Sequence, residues 1–192
     1  MGGQDTTAGR PITVRDLRRD EGDVLDAVMA GLSPRSRYLR FHVPIPALSA
    51  GMRSTLLDVD GRDRIALVAE ADATDDGSGT PVGIARVSRD RGRPGEAEIA
   101  VSTVDAWHRR GVGRLLVAAV AERARAVGVR RLTARVLREN GAAIALFRSV
   151  FPVCLTRWDA DAVVLVALLG EGVDDWTVTT EDVFADLTDM AC

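Results

Sequence analysis

Apolar and polar residues alternate at the start of the chain in "PITVRDL". Ile12 and Val14 fall on one face there, the two-residue period of a strand. The period then lengthens. In "EGDVLDAVMAGL", Val24, Leu25, Val28 and Met29 recur at helical spacing. Prolines interrupt "LSPRSRYLRFHVPIPALSAGMRSTLLDVD", which is expected to hold a short helical piece around Arg37 to Phe41 and a second helix near Ala50 to Leu57. "RIALVAEA", "VGIARVSRD" and "EAEIAVSTV" read as strands. The intervening "DATDDGSGT" and "RGRPG" have turn composition, so the three strands are expected to form an antiparallel meander. From Gly111 onward, Val112, Leu115, Leu116, Ala119 and Val120 form one apolar stripe, and Gly128 stands where helices commonly end. "RRLTARVL" reads as a strand and "GAAIALFRSV" as a short helix. "CLTRW" and "AVVLVALL" read as a last pair of strands around the turn "DAD". The order β-α-α-β-β-β-α-β-α-β-β describes an α/β domain with a mixed sheet.

Composition narrows the class. A chain of 192 residues that is 46% hydrophobic can bury one sizeable core. Residues 1–10 are expected to form a flexible tail and residues 11–170 the single domain. Residues 171–192 carry seven Asp or Glu and no Lys or Arg, an acidic C-terminal tail. A net charge of −3 argues against a general nucleic-acid binder. Cys154 and Cys192 have no metal-ligand spacing, so no metal site is expected, and they read as reduced thiols. The polar N-terminus has no signal core, and no apolar run approaches the ~20 residues of a membrane span. The expectation is a cytoplasmic protein without a membrane partner, as a monomer or as a homodimer through the last strands.

Candidate chemistry begins at "DAWHRRGVGRLLVAAV", residues 105 to 120. A helix start leaves N–H groups unpartnered, and its dipole favours an anion. Gly111 and Gly113 let the backbone turn tightly and approach a ligand. Arg109, Arg110 and Arg114 add charge, and His108 adds to it when protonated. The composition suits a pyrophosphate. The plain alternative is a strand-to-helix turn with solvated arginines. A dinucleotide fingerprint is excluded by context: Leu116 stands where its third glycine belongs, and an antiparallel meander precedes the loop.

The stretch "AEIAVSTVDAWHRRGVGRLLVAAVAERARAVGVRRLTARVLRENGAAIALF" resembles the core of the GNAT superfamily of acyl-CoA-dependent N-acyltransferases. That family's pyrophosphate loop reads Gln/Arg-x-x-Gly-x-Gly/Ala. Here it reads His108-Arg109-Arg110-Gly111-Val112-Gly113, with His in place of Gln or Arg. Asn140, Ala143, Leu146 and Phe147 fit a second family element, whose Gly-aromatic ending is here Val150-Phe151. The resemblance implies a GNAT-type fold, a mixed and largely antiparallel central sheet flanked by helices, with acetyl-CoA as acyl donor. It implies that the strand before the loop splays from the next, that Val101, Ser102 and Thr103 pair with the pantetheine arm, and that Asn140 positions the arm from the other side. As a helix N-cap, Asn140 has an equally good local role.

Acyl transfer needs a neutral amine, so a base must take a proton from an ammonium whose pKa is about 10.4. In "GEAEIAVS", Glu96 and Glu98 share one strand face. Glu98, flanked by "IAV", is expected to be partly buried. Together "LSPRSRYLRF", "RIALVAEA", "AEIAVSTVDAWHRRGVG" and "RVLRENGAAIALF" are similar to the catalytic domain of bacterial Pat-type protein-lysine acetyltransferases, in which a Glu at the position of Glu98 is the general base. In mycobacterial members a cyclic-nucleotide-binding domain is fused to it. No such domain fits this chain, so no such regulation is expected.

Many family members place a Tyr where this chain has Phe147. The sole tyrosine, Tyr38, lies in the segment expected to border the acceptor, so either Tyr38 or water protonates the departing thiolate. Arg35, Arg37 and Arg40 read as a solvated helix face over buried Leu39 and Phe41, a reading favoured over a rim that contacts the acceptor. The leading expectation is an N-acetyltransferase acting on protein lysines. The alternatives are acetylation of a small-molecule amine and a non-catalytic acyl-CoA-binding regulatory module.

Overall fold

The computed structural model describes residues 12–72, 79–151, 154–158 and 161–169. Both expected tails, the centre of the "DATDDGSGT" loop and most of the "DAD" turn lie outside them. The strands are β1 (Ile12–Asp16), β2 (Arg64–Ala71), β3 (Thr80–Arg89), β4 (Glu96–Thr103), β5 (Arg131–Leu137), β6 (Cys154–Trp158) and β7 (Ala162–Leu168). The helices are α1 (Gly22–Ala30), α2 (Pro34–Phe41), α3 (Ala50–Leu57), α4 (Val112–Ala126) and α5 (Gly141–Val150). The seven strands form one sheet in the order β1-β2-β3-β4-β5-β7-β6, and every pairing is antiparallel except β4 with β5. This is the GNAT-type architecture expected from the sequence.

Local signals set the helix ends. Three helices precede β2, and α2 begins at Pro34 rather than at Arg37. Proline suits the first helical position because its missing N–H is unneeded there, and Ser33 caps the turn by accepting from Ser36 N at 3.2 Å. Gly128, at φ 87°, closes α4 as expected. Its N–H donates to Arg125 O and the next N–H, of Val129, to Ala124 O. The buried stripe of α4 runs through Val112, Leu116, Val117, Val120, Ala121 and Ala124. Leu115 is not in it and is 42% exposed, because the residue three beyond Val112 rotates past the edge of the core-facing arc.

The main core lies between the sheet and α4 and α5, and a smaller cluster around Leu17, Ala66 and Val68 sits on the opposite face, with Val24 and Leu57 packed against it. β2 is buried along Ile65–Ala71, on both faces of the sheet. Its one buried charge is Glu70, which is 3% exposed and held by Arg15 of β1 through bonds of 3.0 and 2.6 Å. Arg15 also reaches Glu21, at the entrance to α1, at 2.9 Å.

Candidate active site

β4 divides the molecule. It pairs with β3 from Ala97 to Thr103 but with β5 only at Glu96, Ala97 and Glu98. Beyond Glu98 the two strands part. Val104 donates to Val82 O at 2.9 Å and Asp90 to Glu96 O at 2.9 Å, which fixes the alternation along β4. The amides of Ala100 and Ser102 therefore face β3. Those of Ile99, Val101 and Thr103 face the gap. Of the three residues expected to form a free edge, Val101 and Thr103 do so. Ser102 does not, because its backbone is committed to Ile84.

The gap ends at the glycine loop. A single 3-10 turn, Asp105–Trp107, leads into it. Arg109 and Gly111 both adopt left-handed backbone, at φ 60° and 83°, which curls the N–H groups of the loop toward one concavity at the start of α4. Gly111 is required by its conformation. Gly113 is closely packed, since a Cβ there would lie 3.0 Å from Leu146 Cδ2 of α5. Val112 is buried, so it offers the ligand its backbone and not its side chain. Arg109, Arg110 and Arg114 are exposed and have no ion-pair partner among the described residues, and the Arg110 guanidinium stands 5.2 Å from the Trp107 ring centre. His108 has a role the sequence did not reveal. Its Nε2 lies 2.9 Å from Thr103 O, tying the loop's first residue to the last gap-facing carbonyl of β4.

Across the gap, Asn140 caps α5 by accepting from Ala143 N at 3.1 Å. Its oxygen is occupied, while its amide nitrogen has no partner among the described residues and is available to donate. Phe147, grouped by sequence with the coenzyme-binding residues, is a core side chain. It is 3% exposed and packs on Phe151 with ring centres 4.6 Å apart. The expected Tyr is replaced here by a ring with no polar atom to bring to the gap.

Even-numbered β4 side chains project to the other face, toward α1 and α2. Ala100 and Ser102 line a cleft there, and Glu98 stands just beyond them, at the last paired position before the strands part. Glu98 is exposed rather than partly buried, because the cleft and the helices above it cover only the Ala100–Ser102 end of the strand. The turn between α1 and α2 docks on the loop's approach. Gly31 accepts from Asp105 N at 3.1 Å, and a Cβ on Gly31 would lie 2.6 Å from Val104 Cγ1. Burial alone would raise the Asp105 carboxyl, but Ser33 and Ser36 beside it hold it below the usual range.

α2 is less uniform than its charge pattern suggested. Leu39 and Phe41 are half-buried. Arg35 is solvated and pairs with Glu139 at 3.0 Å, and Arg37 donates to Pro46 O, but Arg40 turns into the cleft beside Arg86 of β3. Arg86 escaped the sequence reading, although an arginine between apolar residues of "VGIARV" was the available signal. Tyr38, with Arg35 5.8 Å from its ring centre, is half-buried on α2. Among the described residues no His, Cys, Asp or Glu cluster could hold a metal, and no helix is long and apolar enough to cross a membrane.

The model of the acetyltransferase (GNAT) family matches residues 38–151. The chain belongs to the GNAT family. The GNAT domain of S. lividans PAT is 30% identical, over 81% of this chain and 89% of that one, with a TM-score of 0.71. An acetyltransferase of Pseudomonas aeruginosa is 29% identical over 124 residues. The match covers 65% of this chain and 65% of that relative, so this chain spans just under two thirds of the relative's length. A GNAT superfamily phosphinothricin acetyltransferase from Sinorhizobium meliloti, in complex with AcCoA, shares the fold at 20% identity, over 84% of this chain and 90% of that one, with a TM-score of 0.64. The GNAT fold typically binds acetyl-CoA. The site fits that donor: the gap-facing amides of Val101 and Thr103 suit an amide-bearing arm, and the loop N–H groups with three exposed arginines suit its phosphates.

Proposed function

We propose that this GNAT protein acetylates lysine side chains of proteins, with Glu98 as general base. The observation that carries the reading is the position of Glu98. It is the last β4 residue paired to β5, and its side chain is on the face opposite the α4 core. An amine approaching from the α1–α2 face meets Glu98 at the point where the gap opens. The 30% identity to the GNAT domain of S. lividans PAT over most of both chains supports the comparison with Pat-type enzymes.

Bound acetyl-CoA supplies the activated acetyl group as a thioester. Glu98 accepts a proton from the acceptor ammonium, directly or through one water, and leaves a nucleophilic amine. The nitrogen forms its bond to the acetyl carbon and gives its second proton to water, the carbon–sulfur bond breaks, and the first proton passes from Glu98 to solvent. The departing thiolate takes its proton from water or from Tyr38. Val101, Thr103 and Asn140 hold the donor in register, which is where much of the acceleration arises.

The test is Glu98→Gln. It removes the base at nearly constant volume, so acetylation of lysate proteins followed by mass spectrometry should fall at least about a hundredfold, while coenzyme A binding by calorimetry stays within about twofold. Equal acetylation by wild type and variant would sink the base assignment. Coenzyme A binding by the wild type with no acetyl transfer to any protein or amine would leave a binding module.

A further inference from the structure

The cleft between the sheet, α1 and α2 has a volume of about 430 Å³ including its open mouth. Leu25, Met29, Ala66 and Ile84 make it largely apolar, and two cations, Arg40 and Arg86, stand in its wall. Arg86 is 9% exposed and fully employed. It donates to the carbonyls of Leu56 and Asp58 and to Ser88 Oγ, closing the C-terminal end of α3. Arg40 differs. It is half-buried and its guanidinium sits 4.9 Å from the Phe41 ring centre, but it has no hydrogen bond or ion pair among the described residues. Burial works against its charge. Glu98 supports that charge without pairing to it, and Arg86 opposes it. A guanidinium in this state gains a bidentate, charge-assisted partner when a carboxylate enters the cleft.

We propose that Arg40 receives a carboxylate of the acceptor while the acceptor's amine lies at Glu98, so that the site selects amines bearing an anionic carboxylate close by. The proposal rests on the reading of Glu98 as the base. Glu98, Ala100 and Ser102 project from one face of β4, and Arg40 stands in the wall of the cleft that Ala100 and Ser102 line. An acceptor whose amine and carboxylate are separated by several bonds can address both groups. A free amino acid supplies this chemistry, and so does a lysine beside an acidic residue in a protein.

Two matched pairs separate these sources: capped peptides Gly-Lys-Glu and Gly-Lys-Gln, and L-lysine with L-lysine amide. Initial rates with saturating acetyl-CoA give kcat/KM for wild type and Arg40→Gln. Calorimetric titration of the same four acceptors into protein saturated with coenzyme A gives Kd without turnover. In wild type, the carboxylate member of at least one pair should be favoured about tenfold in Kd, and in kcat/KM wherever transfer occurs. The pair showing it identifies the source. In Arg40→Gln the preference should fall to about twofold or less. Equal values within both pairs in wild type, binding of none of the four, or a preference that survives in Arg40→Gln overturns the proposal. A preference in Kd with no transfer to any acceptor supports Arg40 and removes the role given to Glu98.

Discussion

Arg15→Met tests whether a surface-facing arginine secures the buried end of the sheet. Arg15 makes two bonds to Glu70 and one to Glu21. After the substitution Glu21 keeps the backbone N–H of Arg18 at 2.8 Å and its guanidinium at 3.0 Å. Glu70 keeps no partner among the described residues, and its side chain is 4% exposed. The loss is therefore that of an abandoned buried carboxylate, about 3–5 kcal/mol. That is a large share of the roughly 5–15 kcal/mol that holds a domain together. At about 2–4 °C per kcal/mol for a domain of this size, the Tm falls by ~6–20 °C. Urea unfolding at pH 7 should show a lower midpoint at constant slope.

The pH dependence has a defined sign. Burial would raise the Glu21 carboxyl, but Arg15 and the Arg18 N–H hold it below its ordinary 4.5. Its contribution in wild type is thus fully present above about pH 4.5 and drains away as the pH falls through the lowered folded value. Replacing both partners, Arg15→Met with Glu70→Leu, removes the buried charge altogether and should recover most of the loss. A single-variant loss under about 1 kcal/mol, or a double variant no more stable than the single, would refute the account.

Gly31→Ala should lose about 1–3 kcal/mol by overpacking, since its Cβ meets Val104 Cγ1 at 2.6 Å, and adding Val104→Ala should restore both thermal stability and coenzyme A affinity. Gly111→Ala should weaken coenzyme A binding more than Gly111→Asn does, because φ is 83° there and asparagine visits left-handed backbone more readily; equal calorimetric losses would point to side-chain bulk instead. Burial would raise the Asp60 carboxyl, but the N–H groups of Arg64, Arg62 and Asp63 bring it to about 2. Its stabilisation is full above its ordinary 3.8 and is lost toward pH 2, so Asp60→Asn should cost on the order of 1 kcal/mol at pH 7, after discounting for solvent screening, and progressively less in urea melts below pH 4.

What the sequence conveyed was local. The boundaries of α5, the closing glycine of α4 and the cap at Asn140 follow from residues within one turn of each other. The glycine loop was legible for the same reason, as its φ requirements and its charges are contiguous. The placement of β7 between β5 and β6 was not, because strand neighbours are chosen by pairing across the whole sheet. Nor was the partnership of Arg15 with Glu70, residues 55 positions apart. Arg40 shows the limit inside a single helix. Its spacing from Arg35 and Arg37 describes a solvated stripe, and only the approach of β3 and β4 turns one of the three into a wall of the cleft.

On the proposed function, the two faces of β4 let one strand serve two ligands without conflict. Backbone alternation directs the amides of Val101 and Thr103 into the gap, where they suit the donor, and directs those of Ala100 and Ser102 into the sheet, where they hold the strand rigid. Side-chain alternation sends Ile99 and Val101 toward the α4 core and Glu98, Ala100 and Ser102 toward the acceptor cleft. On the proposed function, the pantetheine arm is met by the main chain of β4, which most substitutions leave unchanged, with the loop arginines and Asn140 adding side-chain contacts. On the same reading, the acceptor is met by side chains on β4, β3 and α2, which single substitutions alter. Gly31 couples the two, because the α1–α2 turn that positions Arg40 rests on Val104, one residue beyond β4 and directly before the loop. A change of acceptor therefore requires altering the cleft wall around Arg40 while leaving the Gly31–Val104 contact intact.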